Sequence, residues 1–472
     1  MSVTDATVAP QTRLRVACVS TYGGHAGGAA VAMQRLAAGL AAEGAIVDIV
    51  SRRQPEPHAG RRVRRRIRHG RTPLSNTLFS TDWPAWDIAA DPAVAAADVV
   101  HVHWVAGFLD AAAIRRLVGT GKPVVWTQHD LRAFTGGCHY AAGCRGFTAD
   151  CQGCPQLDAR LAAVPERTLR RSRRLLRGLP LTFVAPSRWL AEELRGASLF
   201  DPTHHAIHVI PNGIDLDRYV PATDKESARA LLGLPAAGLA VLLGSVSLDE
   251  LRKNARASAA ALALLSARLR VAGAPPPVAV TCGAGVLDLP GVAHRHLGSL
   301  DEHGMIAALH ACDVHLTMTR EDNLPNTVVE ALACGLPVVG SAVGGVPEML
   351  TTGVEGWLVA PDDPAAAAAA LARLACDPTL LATAGLAARS RAIAAFDARL
   401  QARRHLAVYG SLAHGGARAR RQAACPAARM LAPTPAAAEL LAPSPPIRDC
   451  LRRIRRLAGR HLGSPKTRIF PG

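Results

Sequence analysis

The sequence predicts an α/β protein of two doubly wound, Rossmann-like domains that face each other across a cleft. Three observations carry that expectation. The chain has 472 residues, too many for one hydrophobic core. Short apolar runs alternate with helical periodicity in two successive series. A segment punctuated by Pro211, Asn212 and Gly213 (HVIPNGIDLDRY, residues 208–219) separates them and reads as a connector.

In the first series, residues 14–21 are an apolar run rich in β-branched residues and read as a buried strand. Gly23, Gly24, Gly27 and Gly28 follow, then a helical pattern over 30–43 and a strand at 46–50. Strands are expected at 98–103 and 123–127 with a helix over 111–117 between them, then a strand at 183–187 and a short helix at 189–195. After the connector the rhythm restarts, with strands at 240–246, 278–282, 313–317 and 337–340. Helices are expected over 255–270 and from Asn326. Crossover helices between successive strands imply parallel sheets, whose ligands bind beyond the carboxyl ends of the strands. The expected division is a flexible N-terminus (1–13), an N-terminal domain (14–207), a C-terminal domain (208–396), a return helix (397–410) and a tail (411–472). The tail is rich in Ala, Arg and Pro and reads as disordered apart from a basic helix near 449–462.

The formal charge is +17, carried by 50 arginines and four lysines. Residues 52–71 hold nine arginines against one glutamate, and the tail holds twelve basic residues against two acids. A third cluster is Arg167, Arg170, Arg171, Arg173, Arg174 and Arg177. Such stretches suit anionic phosphates of membranes or nucleic acid, or simply a solvated basic face. No apolar run approaches the roughly 18 residues needed to cross a bilayer, and residues 1–13 lack the apolar core of a signal peptide. The expectation is a cytoplasmic protein, peripheral at the inner face of the membrane. Its eleven cysteines are then expected as reduced thiols, with Cys18, Cys282, Cys312 and Cys334 as small core residues.

The most informative segment is residues 317–349, TMTREDNLPNTVVEALACGLPVVGSAVGGVPEM. A strand ends near Thr319, a polar loop carries Glu321, Asp322 and Asn323, and Leu324 and Pro325 lead to Asn326, expected to cap a helix. Glu330 follows one turn further in. A helix N-terminus offers unpaired amides to a diphosphate, and a neighbouring carboxylate can accept hydrogen bonds from a sugar diol. Taken singly, Asp322 could be a cap and Glu330 a solvated helix acid.

As a whole the segment resembles the acid-x7-acid signature of the retaining GT-B glycosyltransferases, the family-four group, with their ALACGLPVV and GGVPE stretches. The resemblance extends over about residues 14–409. It implies a retaining, metal-independent transfer from a nucleotide-sugar donor, with Asp322 contacting the donor sugar and Glu330 holding the nucleotide ribose. The family pattern usually has Glu first; Asp322 is one methylene shorter, and Glu321 is the neighbour that would share its role. Asn323, Leu324, Pro325 and Asn326 complete that side of the donor site. Residues 248–254 (LDELRKN) look like the family's Arg-Lys pair, with Asn254 where Gly is usual; Arg252 and Lys253 would hold the diphosphate. In the N-terminal half, the resemblance places Gly27 and Gly28 at the cleft and His129 beside the transferring sugar. His101 and His103 (HVHW) share a strand face; a His-x-His pair is a candidate metal site, but a polar cleft wall is the expected reading.

Residues 127–157 (TQHDLRAFTGGCHYAAGCRGFTADCQGCPQL) are similar to a subgroup among bacterial exopolysaccharide and colanic-acid-type transferases. That similarity implies a saccharide or lipid-linked saccharide acceptor. Within it Cys138, Cys144, Cys151 and Cys154 have the spacing C-x5-C-x6-C-x2-C, which points to one structural Zn²⁺. Four thiolates serve an iron–sulfur cluster equally, and His139 is an alternative ligand, but nothing in glycosyl transfer needs electrons. The rival classes are a zinc-containing nucleic-acid-binding protein and a GT-B epimerase or phosphorylase. Against specific nucleic-acid binding, aromatics are only 4% of the chain and do not interleave with its basic runs.

Overall fold

The computed structural model describes residues 13–24, 27–52, 65–73, 78–81 and 86–414. The tail's expected disorder and basic helix, the flexible N-terminus and most of the basic segment 52–71 lie outside the described residues. Two six-stranded sheets form the centres of two domains.

The N-terminal sheet has the order β2-β1-β3-β4-β5-β6, with every neighbouring pair parallel. Its strands are β1 (Arg15–Ser20), β2 (Ile46–Ser51), β3 (Val99–Val102), β4 (Val124–Thr127), β5 (Leu181–Ala185) and β6 (His205–Val209). β3, β4 and β5 are buried along their whole length, as strands covered on both faces must be. The C-terminal sheet has the order β12-β11-β10-β7-β8-β9, again all parallel. It comprises β7 (Ala240–Ser247), β8 (Val278–Ala284), β9 (Ala293–His296), β10 (Val314–Thr317), β11 (Val338–Ser341) and β12 (Gly356–Val359).

Two helices matter most for the site, α1 (Gly28–Ala42) after β1 and α10 (Asn326–Ala333) after β10. The last described helix, Ala398–His414, follows the C-terminal domain but packs on the N-terminal one. Its Ala402, Val408 and Tyr409 join Met33, Leu36 and Leu40 of α1 in one apolar cluster. The phenol of Tyr409 lies 2.6 Å from Nδ1 of His101, and Nε2 of His101 lies 2.7 Å from the Thr127 hydroxyl. His101 is therefore an interior group sealed beneath this helix, and His103 is buried beside it. Among the described residues no single helix is long and apolar enough to cross a membrane.

Candidate functional site

Two loops at the carboxyl ends of β7 and β10 bring the charged residues together. The loop after β7 forms a short 3-10 turn, Leu251–Lys253, and enters the next helix through Asn254. Asn254 has φ 54° and ψ 44°, the left-handed conformation that asparagine tolerates better than other residues with a Cβ. Its Nδ2 donates to Asp362 Oδ1 at 2.8 Å. This is how asparagine stands where the resembling pattern has glycine.

The loop after β10 places Asp322 in the interior, 5% exposed. Its Oδ2 lies 2.9 Å from Arg252 Nη1 and 2.7 Å from Lys253 Nζ. Burial pushes the Asp322 carboxyl up, but Lys253 and Arg252 overcome this and hold it well below the usual carboxylate range. Lys253 keeps 22% of its side chain exposed, against 9% for Arg252, so it is the cation that reaches the open side. The backbone of the acid loop is pressed against Gly344 and Gly345 of the GGVPE stretch. A Cβ on either glycine would sit 1.8 Å from the carbonyl oxygen of Asp322 or Asn323. Only glycine permits that approach.

α10 begins at Asn326, with Pro325 at the cap position and no side-chain cap. Asn326 does not cap its helix. Its Nδ2 crosses the cleft to the carbonyl of Gly28 at 2.9 Å, which leaves the first amides of the helix without a side-chain partner. Gly27, with φ 89°, opens α1 on the facing side. Glu330, one turn into α10, accepts from Arg35 of α1 at 2.7 Å, and the same Arg35 nitrogen donates to the Tyr219 phenol at 2.8 Å. Asn323 accepts from the Ser187 hydroxyl at 2.6 Å and donates to the carbonyl of His129 at 3.2 Å. Leu324 is buried in the C-terminal core.

Glu321 is engaged by the backbone of the opposite domain. Its two oxygens accept from the backbone N–H groups of Ala141 and Ala142, at 3.1 and 2.9 Å. Beside them the Tyr140 ring lies 4.2 Å from the Arg252 guanidinium, and its phenol reaches Asp322 Oδ1 at 3.4 Å. Burial raises the Tyr140 phenol well above its ordinary value, so it stays protonated. His129 Nε2 lies 3.1 Å from His103 Nδ1. Burial lowers the His129 pKa to about 4 against the opposing pull of Asp130, so its ring is neutral at pH 7. A cavity of about 40 Å³ beside His103, Trp104, His129 and Asp130 has room for a few waters and none for a sugar ring.

Residues 26–218 match the family model described as Glycosyltransferase Family 4, and residues 240–377 match that of Glycosyl transferases group 1. The chain belongs to the group-1 glycosyltransferases of the family-four type. Among curated relatives, the colanic acid biosynthesis glycosyl transferase WcaC of Escherichia coli is 28% identical over 278 residues, 55% of this chain and 62% of that one. D-inositol 3-phosphate glycosyltransferase of Mycolicibacterium gilvum is 32% identical over 187 residues, 37% and 42% of the two chains. The matches thus span less than two thirds of these relatives' lengths. Among solved structures, Anabaena HepE with UDP-glucose superposes with TM-score 0.57 at 17% identity, over 85% of this chain and 100% of that one. WaaG, a glycosyltransferase involved in lipopolysaccharide biosynthesis, gives the same score, identity and coverages. At such identities these structures speak for the fold alone.

In this group-1 glycosyltransferase chain, sequence reasoning missed Arg35, Tyr140 and Glu348. Arg35 is the single cation in an otherwise small and apolar helix, which is the signal that would have found it. Glu348 of the GGVPE stretch accepts from the amides of Arg188 and Trp189 at 2.8 and 2.7 Å, capping the helix Arg188–Gly196 from the opposite domain.

Proposed function

We propose that the chain is a retaining glycosyltransferase that moves a sugar from a nucleotide-sugar donor to a saccharide or lipid-linked saccharide acceptor. The setting is exopolysaccharide or cell-surface glycan synthesis, on the cytoplasmic side and in peripheral contact with anionic membrane. The observation that carries this reading is the Arg252–Lys253 pair fixed on buried Asp322 at the start of α10, with Glu330 one turn beyond.

When the bond from the anomeric carbon to the diphosphate oxygen breaks, negative charge grows on the leaving diphosphate. Fixed cations stabilise that charge most where they need no reorganisation. Asp322 supplies the fixing, and the uncapped amides of α10 add the helix N-terminus. In this reading Asp322 acts partly through the cations it positions, and the diphosphate charge falls on side chains rather than on a divalent metal. Glu330 receives the ribose hydroxyls once Arg35 yields its place. The neutral His129 ring can donate or accept one hydrogen bond to the transferring sugar, but it cannot serve as a charged acid near pH 7. The name of WcaC supports a polysaccharide setting, and the UDP-glucose bound by HepE makes uridine nucleotides the first to be tried.

The test is the anomeric configuration of the product, read by NMR before mutarotation. Retention of the donor's configuration is expected. Inversion, or turnover of nucleotide sugars without any transfer, would overturn the reading.

A further inference from the structure

We propose that Cys138, Cys144, Cys151 and Cys154 bind one structural Zn²⁺, and that the metal positions residues 139–142 against the acids Glu321 and Asp322. The four cysteines are free thiols lining one cavity of about 20 Å³. Donors are already aimed at their sulfurs. The amide of Gly146 donates to Cys144 Sγ at 3.3 Å. Cys151 accepts from the amide of Gly136, and Cys154 from those of Gln156 and Leu157. Amides directed at sulfur from two and three residues ahead fix the direction in which each sulfur points, which is what a metal-bound cysteine requires.

The backbone is shaped to the same end. Cys151 holds the left-handed conformation at φ 58°, and a Cβ on Gly146 would lie 3.4 Å from both Cys144 Sγ and Cys151 Cα. Cys138 is pinned by an antiparallel bridge to Phe79. His139 is not a ligand: its Nδ1 lies 2.7 Å from Asp130 Oδ2 and its Nε2 2.9 Å from the Ser80 hydroxyl. With four thiolates and no open position, such a metal is structural.

Among the described residues, the group whose ligand atoms all lie within 4.8 Å of one another is Cys18, His101 and His103. Both His101 nitrogens there are spent on Thr127 and Tyr409, so that group is a packed polar core. The four loop sulfurs are not such a set. Tetrahedral Zn–S bonds of about 2.3 Å put sulfurs about 3.8 Å apart, so binding would draw the loop inward.

The consequence lies between the first two cysteines. Residues 139–142 carry the Tyr140 ring over Arg252 and the two amides that hold Glu321. Cys138 packs with Phe79, Leu157 and Leu161, and Phe147 and Cys151 join the main N-terminal core; a metal across the four cysteines would tie these two clusters together, so the zinc sets the geometry of the acid loop from the opposite domain. This second part rests on the proposed function; the metal site does not.

The experiment is elemental analysis of the full chain purified without added metal, combined with native thiol titration. About one zinc per chain is expected, with no iron, and with the four loop thiols unreactive until the metal is extracted. Cys144→Ser and Cys154→Ser should each lose the zinc. If these variants fail to fold, cobalt exchanged into the unmutated chain should show the intense d–d bands and sulfur-to-cobalt charge transfer of a tetrahedral thiolate site. Zinc below about a tenth of an equivalent with four reactive loop thiols, or iron in its place, would overturn the metal site. Zinc present but extracted with no change in nucleoside diphosphate affinity would overturn the positioning role alone.

Discussion

Five histidines have ring pKa values pushed down by burial: His101 and His103 well below their ordinary value, and His129, His315 and His405 to about 4. Their effect on stability has a definite sign. Below about pH 6.5 the imidazoles of the unfolded chain take up protons while the folded ones resist until about 4. The fold therefore keeps its full stability above pH 6.5 and loses it as the pH falls from there. For a ring shifted from 6.5 to 4, the loss at pH 5 is about 2 kcal/mol. Asp322 and Asp130 act in a lower window, because their depressed carboxyls withdraw stability only once the pH falls below the ordinary carboxylate value. Calorimetric melting should show a plateau from pH 7 to 8.5 and a steady fall between pH 6.5 and 5. A flat profile down to pH 5 would mean that these rings are not held neutral.

Elements were legible where apolar periodicity was strong and obscure where it was not. β3 and β4, buried along their whole length, stand out as β-branched runs, and β7 and β10 as apolar runs buried over their first residues. The edge strands β6 and β9 do not: β9 is Ala-His-Arg-His with alternate residues exposed, and β6 carries two histidines in five residues. An edge strand faces a neighbour on one side only, so its composition carries less of the apolar signal. The acid loop and the Arg-Lys pair were legible by resemblance and converge in space. The grip of Glu321 on Ala141 and Ala142 was not, because nothing in the spacing of two segments some 180 residues apart predicts a backbone contact. At the turn into the helix after the Arg-Lys pair, Asn254 sits at positive φ with its side chain bonded to Asp362. Asn254→Ala should lower stability by about 1–2 kcal/mol, since alanine meets the left-handed penalty and loses the hydrogen bond. Asn254→Gly should recover part of that loss by removing the strain. Denaturant titration decides, and an alanine variant as stable as the glycine one would contradict the account.

At the scale of the whole molecule, a chain of charge +17 carries basic stretches in residues 52–71 and the tail, with a third on the helix Ala163–Leu176. On that helix Arg170 and Arg171 are paired with Glu166 and Asp110, whereas no charged partner is found among the described residues for Arg167 and Arg174. Each basic residue near an anionic surface contributes about 1 kcal/mol, so a few suffice for peripheral binding. The protein should sediment with phosphatidylglycerol-containing vesicles, not with neutral ones, and salt should release it. Equal sedimentation with both would contradict the membrane reading. The two domains meet through Arg35–Glu330, Asn326–Gly28, Tyr140–Asp322 and Glu348 at a helix start, so the cleft walls are joined at residues proposed for the donor site. The most direct test is therefore calorimetric titration of nucleoside diphosphates, UDP first, into the full chain and its Lys253→Ala variant. The account predicts saturable one-to-one binding of one nucleoside diphosphate, weakened at least tenfold (about 1.4 kcal/mol) in a variant that melts like the parent. No binding of any nucleoside diphosphate, or equal binding by both proteins, would contradict it.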